Sequence, residues 1–358
     1  MESGQIEFCF DILPEVSRTF ALSISQLKDP LRSEVCVAYL ICRILDTIED
    51  SPTLTIEEKE FYIGKFIRIL EEESLKNELF FKNLSDKISQ SSAISDVALV
   101  ENGEEVTSSF FCFKEESKRA IFPWVEEMGK GMVIYSKKMF SNSKIYQIKT
   151  FRELEEYCYY IAGTVGFMLT NLFKANCKEI TEESYRYLKE RANDFGLALQ
   201  KVNILKDIRD DLKRGWCFLP EEILSKRGIK VEDISKEENG ALIFDVLSPL
   251  FESLRKDLKS GFEYLIAIPK KEKEIRLFLS TSLFFASSTV DLLIKKKREF
   301  LSEAKLKISR LQVAQILYQL EKKCTSNEKL QRLWDKMNGE FEKALLPFSG
   351  EEKGKVTT

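Results

Sequence analysis

Apolar residues recur along this chain at spacings of three and four, the period of a helix, and almost nowhere with the strict alternation of a half-buried strand. Pro14, Pro30 and Pro52 bracket the first segments, which predicts one helix over Leu31–Ser51, with Asp29 or Ser33 helping its start. Thr55 followed by Glu58 has the form of a capping box and opens a helix over Glu57–Glu73, with Phe61, Phe66, Ile67 and Leu70 turned inward. Ser85–Glu105 is polar and serine-rich and reads as a loop or short helix. Helical spacing returns over Phe110–Phe140, with a break or bend expected near Pro123. Phe151–Phe173 is a helix with Glu153, Glu155 and Glu156 at its positive end. Thr181–Leu212 follows, then a loop around Gly215–Pro220. Further helices are expected within Ala241–Ala267, Glu272–Arg298 and Ile308–Lys323 and near Lys329–Leu345. No hairpin signal and no repeat period stands out. The pattern predicts an all-α protein, a single large helical bundle over 1–345 with a polar tail over 346–358.

Two of these helices carry acids where apolar residues should be. In YLICRILDTIED, Tyr39–Asp50, the carboxylates of Asp46, Glu49 and Asp50 share a face, while Leu40, Ile41, Ile44, Leu45 and Ile48 cover the other sides. A helix apolar nearly all round is buried, so its acids need a partner. In Phe195–Asp211, Asn203, Asp207 and Asp211 fall at successive four-residue steps among Leu197, Leu199, Val202, Ile204, Leu205 and Ile208. Two such stripes make most sense facing each other across a cavity. Desolvating one carboxylate costs several kcal/mol, and four or five would approach the ~5–15 kcal/mol stability of a domain. Divalent cations remove that cost, and oxygen-only ligands suit Mg²⁺ bridging carboxylates to a phosphate. Either cluster alone fits an ion-pair network equally well, with Arg43 and Lys206 close in sequence. The two together favour a metal site.

Composition narrows the chemistry. The 358 residues are 44% hydrophobic and 32% charged, enough for a sizeable core, and the net charge of −3 argues against a nucleic-acid partner. There is no histidine, which excludes Ser-His-Asp and Cys-His catalysis and His-ligated zinc. The eight cysteines form no C-x-x-C pair and read as buried free thiols of a reducing compartment. MESGQIEFCF lacks the form of a secretory signal. The uncharged run Tyr157–Phe173 falls short of a usual span of about 20 residues and reads as a buried helix packed closely at Gly163 and Gly166. The tail EEKGKVTT offers no anchor. The expectation is a cytoplasmic protein without a transmembrane anchor, peripheral membrane contact being left open.

Four blocks carry a resemblance: SRTF at Ser17–Phe20, YLICRILDTIED at Tyr39–Asp50, YCYYIAGTVG at Tyr157–Gly166, and LQKVNILKDIRDD at Leu199–Asp211. In order and spacing they resemble the motifs of the squalene/phytoene synthase family, within the all-helical isoprenoid synthases. The similarity runs loosely over Phe8–Thr325, and the DTIED and YCxYxAG forms point to the squalene branch. The resemblance implies a helical bundle with a central active-site cavity that condenses two farnesyl diphosphates head to head, supplying sterol or hopanoid synthesis. Asp46, Asp50, Asp207 and Asp211, with Glu49 and Asn203 beside them, would hold Mg²⁺ on the diphosphates. Tyr157 would lie near the proton lost in forming presqualene diphosphate, as base or as relay. Arg18, Tyr39 and Arg43 match positions that contact diphosphate, and Gln200 and Asn203 match positions beside the second motif. Phe20, Val165, Leu169 and Phe278 would wall a dry cavity, and NADPH would deliver hydride near Lys307 and Arg310.

Read without the resemblance, Tyr39, Tyr157, Phe20 and Phe278 are core aromatics, and Arg18 caps a helix or meets solvent. The chain also departs from the family pattern. Ser51 stands where another aspartate is common, Tyr159 where a histidine is, and Lys206 where an arginine is. Trp216 takes the place of an arginine, for which Arg214 could compensate, and the arginine expected beside Lys307 is displaced to Arg310. No G-x-G-x-x-G turn is present, so a hydride-free product, dehydrosqualene or presqualene diphosphate, is the alternative. A helical scaffold without catalysis is the alternative of another class.

Overall fold

The structure is a computed structural model describing residues 3–75, 78–139 and 145–345; the polar tail at 346–358 and Phe140 lie outside the described residues. Its helices are α1 (Ser3–Val16), α2 (Arg18–Ile24), α3 (Leu31–Asp50), α4 (Ile56–Glu71), α5 (Glu78–Ile88) and α6 (Ile94–Glu101). Then come α7 (Gly103–Phe111), α8 (Glu115–Met139), α9 (Phe151–Cys158), α10 (Thr164–Asn176), α11 (Glu182–Lys213) and α12 (Glu221–Ser225). The last are α13 (Val231–Ile234), α14 (Gly240–Val246), α15 (Ser248–Ala267), α16 (Lys273–Lys295), α17 (Arg310–Lys323) and α18 (Asn327–Leu345). The described strands are two-residue pieces, β1 (Tyr146–Gln147) and β2 (Trp216–Cys217), paired in parallel. The all-α expectation holds.

Local chemistry accounts for the boundaries. Asp29 Oδ1 accepts from the Ser33 amide at 3.1 Å, occupying one of the free donors that opens α3. Both halves of the Thr55–Glu58 capping box form, at 2.9 and 3.2 Å. Thr150 caps α9, Thr181 caps α11, and Ser309 with Gln312 boxes α17.

Four expectations need correction. Ser85–Glu105 is mostly helical, because Leu99, Val100 and Val106 supply a small buried stripe that the serines obscured. The helix expected over Phe110–Phe140 is divided earlier, at Cys112–Lys114. Beyond that, α8 runs through Pro123, an exposed position where water can satisfy the carbonyl left without a donor. Likewise α1 continues through Pro14. Phe61 is 61% exposed, since Tyr62, Ile63, Phe66, Ile69 and Leu70 form the inward face of α4.

α11 is the central rod, packed on α10, α15 and α16, and α10 packs in turn on α3 and α8. Glycine permits the closest of these approaches. A Cβ on Gly166 would lie 1.9 Å from the Ala192 carbonyl oxygen, and one on Gly196 would lie 2.1 Å from that of Ala162. Between α9 and α10 the chain makes a π-helical turn, Tyr159–Gly163, so the uncharged segment is widened and under-wound in one place. Buried Arg276 donates to the carbonyls of Ile268 at 2.6 Å and Cys324 at 2.5 Å, tying the ends of α15 and α17 to α16. Seven of the eight cysteines are buried free thiols and Cys112 is exposed. Among the described residues only Lys273–Lys295 is long and apolar enough to cross a membrane, and 72% of its apolar window is buried in the protein.

Candidate active site

α3 and α11 make no extensive contact with each other; both pack on α10 and leave a gap between their acidic faces. One ion pair spans it, Arg214 Nη1 to Asp50 Oδ2 at 3.0 Å. Arg214 follows α11 directly, and Gly215, at φ 85°, turns the chain into β2. Pairing of β2 with β1 pins this corner, with the Tyr146 amide donating to the Gly215 carbonyl at 2.8 Å.

The carboxylates gather where the two helices approach, with Asp50 near both Asp46 and Asp211. Asp50 keeps 41% of its side chain accessible, yet burial is the leading cause of its raised pKa. Both hold when a group faces a narrow space enclosed by protein. Burial also raises Asp46 to about 7, with Asp50 and Asp96 adding to the rise and Arg43 opposing it. Asp211 is raised to about 7 by burial, with Asp207, Asp50 and Asp210 adding and Arg214 opposing. Glu49 is raised well above its ordinary range, chiefly by burial and then by Asp50 and Asp46, and its Oε1 is buried without a hydrogen bond. Tyr157 lies among these acids. Its phenol is pushed far up by burial, then by Glu49, Asp50 and Asp211. The ring stacks on Phe218 at 4.5 Å and meets Tyr135 edge-on at 5.0 Å.

Organic cations cover part of this charge. Lys206 pairs with Asp207 at 2.7 Å, and Lys305 reaches Asp207 at 2.6 Å and Asp210 at 2.7 Å. Buried Lys59 donates to the Glu49 carbonyl and stands 5.9 Å from the Trp216 ring. Asp207 and Asp210 therefore meet an ion-pair network. Among the described residues, the side chains of Asp46 and Asp211, one on each helix, form no ion pair or hydrogen bond.

The other candidate residues divide into two groups. Tyr39 packs on Phe20 at 5.0 Å, and burial lifts its hydroxyl to about 12, with Ser17 hydrogen-bonded to it and Arg43 and Asp46 near. Arg43 does not pair with the acids of its own helix but grips Asp96 of α6, Nε to Oδ1 at 2.9 Å and Nη2 to Oδ2 at 2.8 Å. Gln200 and Asn203 lie near the outer end of the stripe, where exposed Asn203 accepts from Lys206 at 2.8 Å. Val165 and Leu169 are half-buried on α10, and Phe278 is buried against Phe173 at 6.2 Å. Arg18 is exposed at the start of α2, and Lys307 and Arg310 are exposed with no tie to the acids. It is Lys305, two residues before Lys307, that enters the site. Asp96, Lys305, Lys59 and Phe218 escaped the sequence reading. Only Lys59 left a signal, as a charge on the inward period of Ile63, Phe66 and Leu70. A separate cavity of about 630 Å³ lies beyond α11, between Ser235–Glu238 and Ser302–Ala304, and among the acid-motif residues only Arg209 lines it.

The donor set suits Mg²⁺. It is all oxygen, one buried carboxylate oxygen lacks a donor, and two aspartates have no cation against them. Among the described residues no three such groups converge into a cage able to hold an ion alone. That is expected of an ion bound through one or two carboxylates and completed by phosphate oxygens.

The chain is similar to known proteins over most of its length. The family model for squalene/phytoene synthase matches residues 13–312. The squalene synthase of Bos taurus is 31% identical over 263 residues, 74% of this chain and 58% of that protein. Squalene synthase 1 of Arabidopsis thaliana is 27% identical over 303 residues, 84% of this chain and 68% of that one. The chain thus spans about 58% of the bovine relative's length. In fold, a ligand complex of TcSQS is similar with a TM-score of 0.78 at 24% identity, covering 98% of this chain and 94% of that one.

Proposed function

The chain belongs to the squalene/phytoene synthase family, and from that premise we propose that it is a Mg²⁺-dependent farnesyl-diphosphate farnesyltransferase. It joins two farnesyl diphosphates head to head into presqualene diphosphate, which it reduces to squalene with NADPH. The observation that carries the reading is the pair of aspartates without an ion pair, Asp46 and Asp211, one on each helix and each raised in part by the Asp50 carboxylate near it.

Asp46, Asp50, Asp207 and Asp211 would hold the cation, with Glu49 and Asn203 at the margins. Bound there, it supplies Lewis-acid stabilisation of the charge that develops on the departing pyrophosphate. Arg43 and Arg214 offer N–H donors to the same oxygens, and Tyr39 and Arg18 extend that side of the site. Tyr157 keeps its proton at neutral pH because burial, and then its anionic neighbours, oppose phenolate. Its hydroxyl therefore serves as a relay, handing a proton to pyrophosphate as it receives the one lost on ring closure. Phe20, Val165, Leu169, Phe278 and the stacked Phe218 exclude water, leaving the second substrate's alkene as the nucleophile available to the allylic cation.

The relatives' names support squalene as the product and thereby NADPH as the reductant. Exposed Lys307 and Arg310 build no dinucleotide cradle, so no hydride step is assigned to a residue here. That exposure favours a second reading in which the reaction ends without hydride, at dehydrosqualene or presqualene diphosphate. Incubation with farnesyl diphosphate and Mg²⁺, extracting products with and without NADPH, tests both. Squalene formed only with NADPH supports the first reading, and an identical hydrocarbon either way supports the second. No pyrophosphate release under any condition overturns both and leaves a helical scaffold.

A further inference from the structure

Arg43 and Asp46 stand three residues apart on α3, a spacing at which opposite charges usually meet. Here they do not. Arg43 spends Nε and one Nη2 hydrogen on Asp96, which is 53 residues distant and lies in the first turn of α6. Asp96 is itself buried, with 10% of its side chain accessible, against 30% for Arg43. Two parallel charge-assisted hydrogen bonds fix the plane of a guanidinium and leave its three other N–H donors free on the far edge. Without Asp96, the nearest carboxylate for Arg43 is Asp46, whose proximity to the guanidinium already opposes its raised pKa.

We propose that Asp96 is a positioning residue that withholds Arg43 from Asp46. It keeps one carboxylate of the recess open to the cation and holds the remaining Arg43 donors at a set angle for the diphosphate. The inference rests on the reading of the recess as a cation–diphosphate site, and it explains why Asp46 lacks an ion pair although an arginine sits one turn before it. When Asp96 is removed, Arg43 closes on Asp46, and cation and guanidinium compete for the same oxygens.

The test measures binding of Mn²⁺ with inorganic pyrophosphate, by calorimetry and by the Mn²⁺ resonance signal, beside thermal unfolding of each variant. D96N is expected to weaken binding by about tenfold or more, the scale of a charge-assisted contact, and D96E to recover most of the loss. The decisive comparison is made in the R43Q background, where D96N should change affinity less than about twofold, since no arginine remains to be restrained. An equal loss from D96N with and without Arg43 overturns the proposal, as does a D96N variant that unfolds at lower temperature yet binds like the unaltered protein. If the unaltered protein binds no Mn²⁺–pyrophosphate, the reading of the recess fails and this inference with it. If it binds and D96N binds equally well, this inference alone fails.

Discussion

On α3 the carboxylates of Asp46, Glu49 and Asp50 stand among Ile44, Leu45 and Ile48, each of these three aliphatic residues 0% exposed, and Arg214 pairs with Asp50. On α11 the stripe of Asn203, Asp207 and Asp211 begins at an exposed asparagine, and Lys206 and Lys305 gather at Asp207. The same residue types at the same four-residue spacing thus stand among aliphatic side chains on one side and at a lysine-lined mouth on the other. Burial raises all three acids of the inner set, whereas at the mouth the hydrogen bond from Lys305 lowers Asp210. Asp211, at the deep end of α11, behaves like the α3 set because it turns toward Asp50 and Tyr157. Depth in the recess, rather than membership of a motif, decides how far a carboxylate depends on a cation from outside.

The comparison can be broken most directly by removing one acid from each side. Asp46→Asn should slow pyrophosphate release by about 10²–10³-fold, the scale seen when one preorganised charge-stabilising group is lost. Its thermal unfolding should hold or improve, because a desolvated carboxylate has gone. Asp207→Asn should cost less, since Lys206 and Lys305 already share its charge; an equal or larger loss in the same assay would end the distinction between the two sides. Tyr157→Phe comes next. It should leave Mn²⁺–pyrophosphate affinity unchanged and reduce presqualene diphosphate formation about tenfold or more, the low end of proton-transfer catalysis. Loss of affinity instead would make the tyrosine a binding residue only.

Stability against pH sharpens the same contrast. Asp46 and Asp211 have folded-state pKa values raised to about 7, above the ordinary 3.8. Between these limits the folded chain holds protons that the unfolded chain has released, so stability falls as pH rises through that window. The cation-free protein should unfold at a lower temperature at pH 8 than at pH 5, and Mg²⁺ with pyrophosphate should narrow the gap. Calorimetric scans checking this should show a shallower slope in Asp46→Asn. The smallest effect is expected from Lys305→Ala, under about 1 kcal/mol in denaturant unfolding, as for partly exposed ion pairs.

Much of this was legible in the residues. Capping at Thr55, Thr150, Thr181 and Ser309 is local chemistry, and the close approach at Gly166 follows from an uncharged helix carrying a small residue. The acid stripes stood out because charge in an apolar period is a local contradiction. Phe61 was misplaced by one position because α4 carries aromatics on adjacent residues, and periodicity alone does not choose between them. Ser85–Glu105 was under-read because its buried stripe is short and interrupted. Asp96 lay within that stretch and so passed unnoticed.

Sequence alone determined that the chain is helical, where its long rods begin, and that two of them carry carboxylates needing a partner, since all of these depend on residues within a few turns of one another. Which carboxylates remain without a partner was decided only by the tertiary structure. Arg43 is drawn to an aspartate on another helix, Lys305 crosses to Asp207 from nearly a hundred residues away, and Arg214 swings back to Asp50 through a strand-pinned corner. Electrostatic pairing is settled by distance in space and by the depth at which each group is desolvated, and neither is written in spacing along the chain.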